Sequence, residues 1–399
     1  MLDPKQQVVG YRLGWQSAVA NGAREDADNV PSLLALVAER AAEFAPSLFF
    51  FDLSPADLSS QALQNLAPES TVLVLRLDDL LAGDQLALLT SLRERGFGLG
   101  LRDGSLAFLK THERLAAQFN YLLLACDHPE LAELCNFARH RQPPFTVVAD
   151  GIPDWPAFDL CASLGAHCVF ENLCLAPRLM AAAVKLGPQA QQILQLMQMV
   201  QADADIRHVE KVLESDLTLS YKLLRYINSA GFGLRVEIES PRHAVSMLGY
   251  APMFRWLSLL LARTNSTGFS PALMQAAMVR GRFAELLGQG FLSLREAEDL
   301  FVVGMFSFLD RLMGIPVQQV LNQLTLSETV KQALLSRDGV YGPVVASRKA
   351  SQMAIEAFAP LLPELVGGSA DLAAALNMTA QQANQAHLSA LAWAQSIKL

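Results

Sequence analysis

Leu48-Phe49-Phe50-Phe51-Asp52-Leu53 decides how the first half of this chain is read, and Tyr121-Leu122-Leu123-Leu124-Ala125 repeats its message. The apolar residues in both runs are continuous, whereas a strand wetted on one face would alternate apolar with polar side chains. Such a strand must be covered on both faces, as parallel strands are when helices pack outside them. Working outward, runs of the same texture fall at 9–15, 71–77, 96–101, 145–150 and 167–171, with helix-like segments between them. Seven such units predict an α/β barrel of the TIM type over residues 1–180.

After Pro177 the strand-like runs stop and helical spacing takes over. Ile206, Val209, Val212 and Leu213, then Leu223, Leu224 and Ile227, keep one helical face apolar. Ser240-Pro241 reads as an N-cap with proline at the first helical position, and Gly249 closes that segment after Leu248. Thr325-Leu326-Ser327-Glu328 has the spacing of a capping box. The Ala- and Gln-rich stretch from 370 to 399 predicts a last helix, with Trp393 as its docking anchor. The second domain, residues 185–399, is therefore expected to be all-α. Ala181-Ala182-Ala183 suggests a connecting helix, and with it a rigid junction between the two domains.

Length agrees with two domains, since 399 residues exceed the roughly 250 at which single cores stop growing. The longest apolar run, Trp256-Leu257-Ser258-Leu259-Leu260-Leu261-Ala262, is bounded by Arg255 and Arg263, which suits a buried helix and not a membrane span. The first residues, Met1-Leu2-Asp3-Pro4-Lys5-Gln6, lack the basic and apolar regions of a secretory peptide, so a cytoplasmic location is expected. Cys126, Cys135, Cys161, Cys168 and Cys174 are odd in number and lack CxxC spacing, which suits reduced thiols. His167 beside Cys168 lacks the paired ligands of a structural zinc site. A net charge of −8 and a pI of about 5.4 speak against nucleic acid as a partner.

Several segments of the first half resemble the EAL phosphodiesterase family, TIM barrels that hydrolyse cyclic di-GMP with metal-bound carboxylates. Gly10-Tyr11-Arg12-Leu13-Gly14 stands where the Glu-Ala-Leu signature strand belongs, and Phe51-Asp52-Leu53-Ser54 resembles the Asn-containing strand. Leu75-Arg76-Leu77-Asp78-Asp79, Gly100-Leu101-Arg102-Asp103-Gly104 and Val148-Ala149-Asp150-Gly151-Ile152 resemble three further motifs. The departures concern the ligands. Arg12, Arg76 and Arg102 occupy acidic positions, Leu123 that of the family's lysine and Phe170 that of its late glutamine. Three guanidinium groups at one mouth would repel a metal pair. The resemblance therefore implies a degenerate barrel without catalytic or metal-binding residues. Asp52, Asp79, Asp103 and Asp150 would pair with the arginines or, in the other reading, serve with them in ligand binding. Only a stub of the family's first strand precedes Gly10, which leaves either a truncated barrel edge or a start downstream of the natural one.

The second half resembles the HDOD family, all-α relatives of HD phosphohydrolases without their metal motif. Ser215-Asp216-Leu217-Thr218-Leu219-Ser220-Tyr221-Lys222-Leu223-Leu224-Arg225-Tyr226-Ile227-Asn228-Ser229-Ala230 carries the likeness, and Ser307-Phe308 stands where an HD enzyme has its dyad. Asp216, Asn228 and Ser229 are read as structural: a cap and a turn, with no base placed to activate the serine. His208, His243 and His387 are read as solvated or core-edge. Together the two resemblances imply a signalling protein, not an enzyme, needing no cofactor. It would act on other signalling proteins in cyclic di-GMP-linked regulation, with no membrane or nucleic acid partner; homo-oligomer formation is left open. The alternatives are a non-hydrolysing cyclic di-GMP receptor and a residual phosphodiesterase.

Overall fold

The computed structural model describes residues 1–13, 47–81 except 60, 85–170, 187–264 except 215, 230–237 and 239, 271–336 except 290, 291 and 325, and 380–397, with scattered positions at 34–44 and at 341. The fold comprises two compact units, one containing Met1–Ala176 and the other Pro177–Ala354 and Leu372–Leu399. The anticipated connecting helix at 181–184 lies outside the described residues.

The first unit is a nearly closed barrel. Its strands are β1 (Gly10–Leu13), β2 (Leu48–Asp52), β3 (Thr71–Arg76), β4 (Gly98–Arg102), β5 (Tyr121–Ala125), β6 (Thr146–Asp150) and β7 (Cys168–Phe170), in sequential order and all parallel. Around them lie α1 (Leu77–Leu81), α2 (Leu86–Glu94), α3 (Leu106–Thr111), α4 (Glu113–Ala116), α5 (Leu131–His140) and α6 (Trp155–Leu164). The stub ahead of β1 bridges the gap: the Leu2 N–H donates to Val169 O and Val169 N–H to Leu2 O, both at 2.8 Å, as an antiparallel bridge. On its other side, Val9 N–H donates to Met1 O at 3.0 Å.

Continuous apolar strands here mean burial on both faces. Met1, Phe50, Val72, Val74, Leu123, Val148 and Phe170 form one core cluster inside the barrel. The alternate residues, such as Phe49, Phe51, Leu73, Leu99 and Leu122, are equally buried. Gly98 and Gly100 put no side chain into the interior, where a Cβ on Gly100 would come within 2.9 Å of Leu123 Cδ1. That space goes to aromatics: the Phe50 ring meets Tyr121 and Phe170 edge-on, at 5.1 and 5.3 Å between centroids.

The second unit is helical: α7 (Pro188–Gln201), α8 (Ile206–Glu214), α9 (Leu217–Ile227), α10 (Pro241–Leu248), α11 (Tyr250–Ala262), α12 (Pro271–Gly288), α13 (Leu294–Phe306), α14 (Leu309–Met313), α15 (Val317–Leu321), α16 (Glu328–Ser336) and α17 (Ala380–Ser396). Ser240 caps α10 by accepting from His243 N–H at 3.2 Å, with Pro241 at the first helical position as expected. The capping box lies elsewhere than expected. Ser293 and Glu296 form it at the head of α13, where the same S-x-x-E spacing was open to reading. At α16 the cap comes from Ser327, which accepts from Val330 N–H at 3.4 Å, and Thr325 lies outside the described residues.

Helices α12 and α13 touch backbone to backbone. A Cβ on Gly304 would lie 2.8 Å from Arg280 O and 2.9 Å from Gly281 Cα, and one on Gly281 would lie 2.9 Å from Phe301 O. Helix α17 packs on α12, and its Trp393 meets the Phe301 ring edge-on at 5.7 Å. His387 on the same helix is 2% exposed, so it belongs to the core and not to its edge or to solvent. No single helix among the described residues is long and apolar enough to cross a membrane; α10 and α11 reach that length and composition only together, across a 115° bend.

Candidate functional site

The C-terminal ends of the strands form the barrel mouth, where the chemistry of parallel barrels is built. Alternation carries the inward-facing register from the apolar interior up to this rim: Phe50 is followed by Asp52, Gly100 by Arg102 and Val148 by Asp150, while Arg12 follows Gly10. Four of these side chains converge. Arg12 Nη1 donates to Asp150 Oδ2, and Arg102 Nη1 donates to the same oxygen at 2.9 Å. Arg102 Nε and Nη2 both reach Asp52 Oδ1, at 3.1 and 2.8 Å, while Arg12 Nε stands 3.9 Å from Asp52 Oδ2. Arg12 also lies over the Phe170 ring, 4.9 Å from its centroid.

The quartet carries no net charge. The Arg12 and Arg102 side chains are 10% and 14% exposed and Asp150 19%, which makes the contacts stronger than surface ion pairs; Asp52, at 44%, is the wetted end. Burial favours the neutral acid at Asp150, but Arg12, and after it Arg102, outweigh this and hold the carboxyl below the usual carboxylate range. Burial likewise opposes the charge of Arg102, and Asp52 with Asp150 overcomes it and raises the guanidinium above its ordinary value.

The other residues singled out at the mouth stand apart from this network. Arg76 ends β3 exposed and has no ion pair among the described residues. Asp79 lies in the first turn of α1. Asp103 follows β4 in a left-handed conformation, φ +56°, its N–H donating to Leu123 O at 3.0 Å. Leu123 and Phe170 are interior packing residues. The metal-bound carboxylates that the EAL resemblance implies do not fit here. Asp52 and Asp150 already hold guanidinium groups, and the described residues contain no group of three or more His, Cys, Asp or Glu side chains able to hold a metal ion.

In the helical unit, Asp216 caps α9, its Oδ1 accepting from Thr218 and Leu219 N–H at 2.9 and 3.1 Å. Asn228 ends that helix and clips the chain ten residues on: its Nδ2 donates to Ile238 O and its Oδ1 accepts from Ile238 N–H, both at 2.8 Å. The Ser229 hydroxyl is buried and donates to Tyr226 O at 2.7 Å. At the dyad position, Ser307 Oγ bonds Gly304 O and Phe308 packs under the Arg280 and Arg311 guanidinium groups. Sequence reading missed the buried ion pairs of α11 and α12, where Arg255 and Arg282 both bond Glu285. Their signal, charges within otherwise apolar helices, was present.

The chain is 33% identical over 145 residues to cyclic di-GMP phosphodiesterase CdgJ of Vibrio cholerae, a match covering 36% of this chain and 34% of that one. It is 31% identical over 140 residues to uncharacterized protein YuxH of Bacillus subtilis, 34% of each. The matches thus span about a third of the length of these relatives. A stretch of 29 residues is 83% identical to transketolase 1 of Escherichia coli, 7% of this chain and 4% of that one, too short to bury a core of its own. No solved structure matches. The name of the first relative carries an enzymatic activity, which overturns the expectation that this chain is not an enzyme. The arginines on which that expectation rested bear on one metal-dependent mechanism at one mouth, not on catalysis throughout the chain. Residues 186–330 match the HDOD domain, and the chain therefore carries an HDOD domain.

Proposed function

We propose that this chain serves cyclic di-GMP-linked signalling through contacts with partner proteins, and that its barrel is a degenerate relative of the EAL domain. The observation that carries the reading is the HDOD domain at 186–330, taken with the similarity to a protein named a cyclic di-GMP phosphodiesterase. The barrel supports it. Parallel strands deliver Arg12 and Arg102 to the mouth, and their pairing with Asp52 and Asp150 gives that face a set shape of the kind a partner can read.

A second reading is hydrolysis of cyclic di-GMP, favoured by the relative's name and by two carboxylates, Asp79 and Asp103, that no arginine engages among the described residues. One titration addresses both. The full chain is mixed with cyclic di-GMP, with and without Mg²⁺, and followed by calorimetry and by chromatography of the nucleotide, with cyclic AMP as control. Binding or turnover selective for cyclic di-GMP is expected. Turnover lost in Asp103→Asn would establish the second reading, and neither binding nor turnover would remove the link to this nucleotide.

A further inference from the structure

His387 is the single ionisable side chain of α17, whose sequence from Ala380 to Ser396 contains no Asp, Glu, Lys or Arg. One face of the helix docks and the other meets water: Leu388, Ala390, Leu391 and Ala394 are buried, while Gln382 and Gln385 are exposed. A titrating group belongs on the wet face. His387 lies on the docked one instead, against the Phe283 ring of α12, and neither of its ring nitrogens has a hydrogen-bond partner among the described residues. On the same contact Arg282 of α12 lies by the Trp393 ring, its Nε enclosed without an acceptor. Enclosed polar atoms without partners weaken the contact that encloses them, and an apolar ring at 387 would fill the place without that penalty.

No carboxylate stands ready for a protonated ring. On α12 the charged groups are Arg280, Arg282 and Glu285; Arg280 lies over Phe308, and Glu285 is taken by Arg255 and Arg282. On α13, which meets α17 where Phe301 touches Trp393, Glu296 closes the capping box, and Glu298 and Asp299 feel Arg255, Arg295 and their acidic neighbours, not the histidine. An imidazolium in the docked position would thus be uncompensated. The ring accepts a proton readily only once it is wetted, so acidification favours the state in which α17 has left α12.

We propose that α17 is a proton-released latch: docked at neutral pH it covers the Phe283 face of α12, and protonation of His387 frees it ahead of the rest of the helical unit and bares that face. The inference goes beyond the signalling role and stands on the contact between α12 and α17 alone. It is tested by hydrogen exchange on the full chain between pH 7 and pH 5, corrected for the intrinsic pH dependence of exchange. Peptides from 380–397 report the latch, and peptides from α7 and α13 in the same sample serve as reference. With the pKa at about 4 when docked and about 6.5 when wetted, the opening equilibrium of α17 is expected to rise about twentyfold over that interval, with no matching rise in α7 or α13. His387→Phe and His387→Gln both remove the titrating group, one with an apolar ring and one with a neutral amide, and both are expected to flatten the response. The glutamine variant keeps the test valid if the larger ring disturbs packing. A rise in the wild-type chain of less than about fivefold, an equal rise in α7 and α13, or an undiminished rise in His387→Gln would each overturn the latch.

Discussion

Arg102 is the residue on which the mouth depends, because it alone bonds both Asp52 and Asp150 at hydrogen-bonding distance. Arg102→Met keeps the stem and leaves Asp52 facing Arg12 at 3.9 Å, so a loss of about 2–3 kcal/mol is expected in urea unfolding. A change under about 0.5 kcal/mol, the range of exposed pairs, would show the quartet to be decoration. His387 is the counterpart in the helical unit: neither ring nitrogen has a partner, the ring lies 5.2 Å from Phe283, and burial pushes its pKa down to about 4. The unfolded chain therefore binds a proton near pH 6.5 that the folded chain refuses, and stability falls as pH drops from there toward 4. Glu298 and Asp299, whose pKa values are raised, act in the opposite direction on acidification. The difference between the wild-type chain and His387→Phe isolates the histidine. The variant should gain about 2 kcal/mol on the wild type between pH 7 and pH 5; parallel stability curves would count against a buried neutral imidazole.

Among the elements, the crossing of α12 and α13 leaves the least room. A methyl on Gly304 meets Arg280 O at 2.8 Å, and a backbone carbonyl cannot turn aside as a side-chain tip can. Gly304→Ala is therefore expected to lower stability by about 1–3 kcal/mol although alanine is the better helix former, and a raised melting temperature would contradict the contact. The strands behave differently. They were legible because burial on both faces leaves an unbroken apolar run, and the observed bounds fall within a residue or two of those expected. Helix ends were legible where a cap announces itself, as at Ser240 and Asp216. They were misread at Thr325, because S/T-x-x-E spacing recurs by chance and only the local backbone decides which instance closes.

Across the whole molecule, legibility stops where tertiary neighbours decide. The mouth residues could be named one by one from their place at strand ends. That Arg12 and Arg102 share Asp150 while Arg76 stands aside depends on register around the barrel, which no local pattern encodes. His387 looked like a core-edge residue because its polarity was weighed without the apolar face that covers it. The bearing of the similarity to a named phosphodiesterase on catalysis was equally invisible to a reading confined to one mouth. The glycine crossing has a mechanical consequence for the helical unit. Sliding either helix along the other would bring a side chain onto the spot where backbone now meets backbone, so the pair has no low-cost shear coordinate. Motion that reaches this unit must pass around α12 and α13 as one rigid strut or separate them altogether.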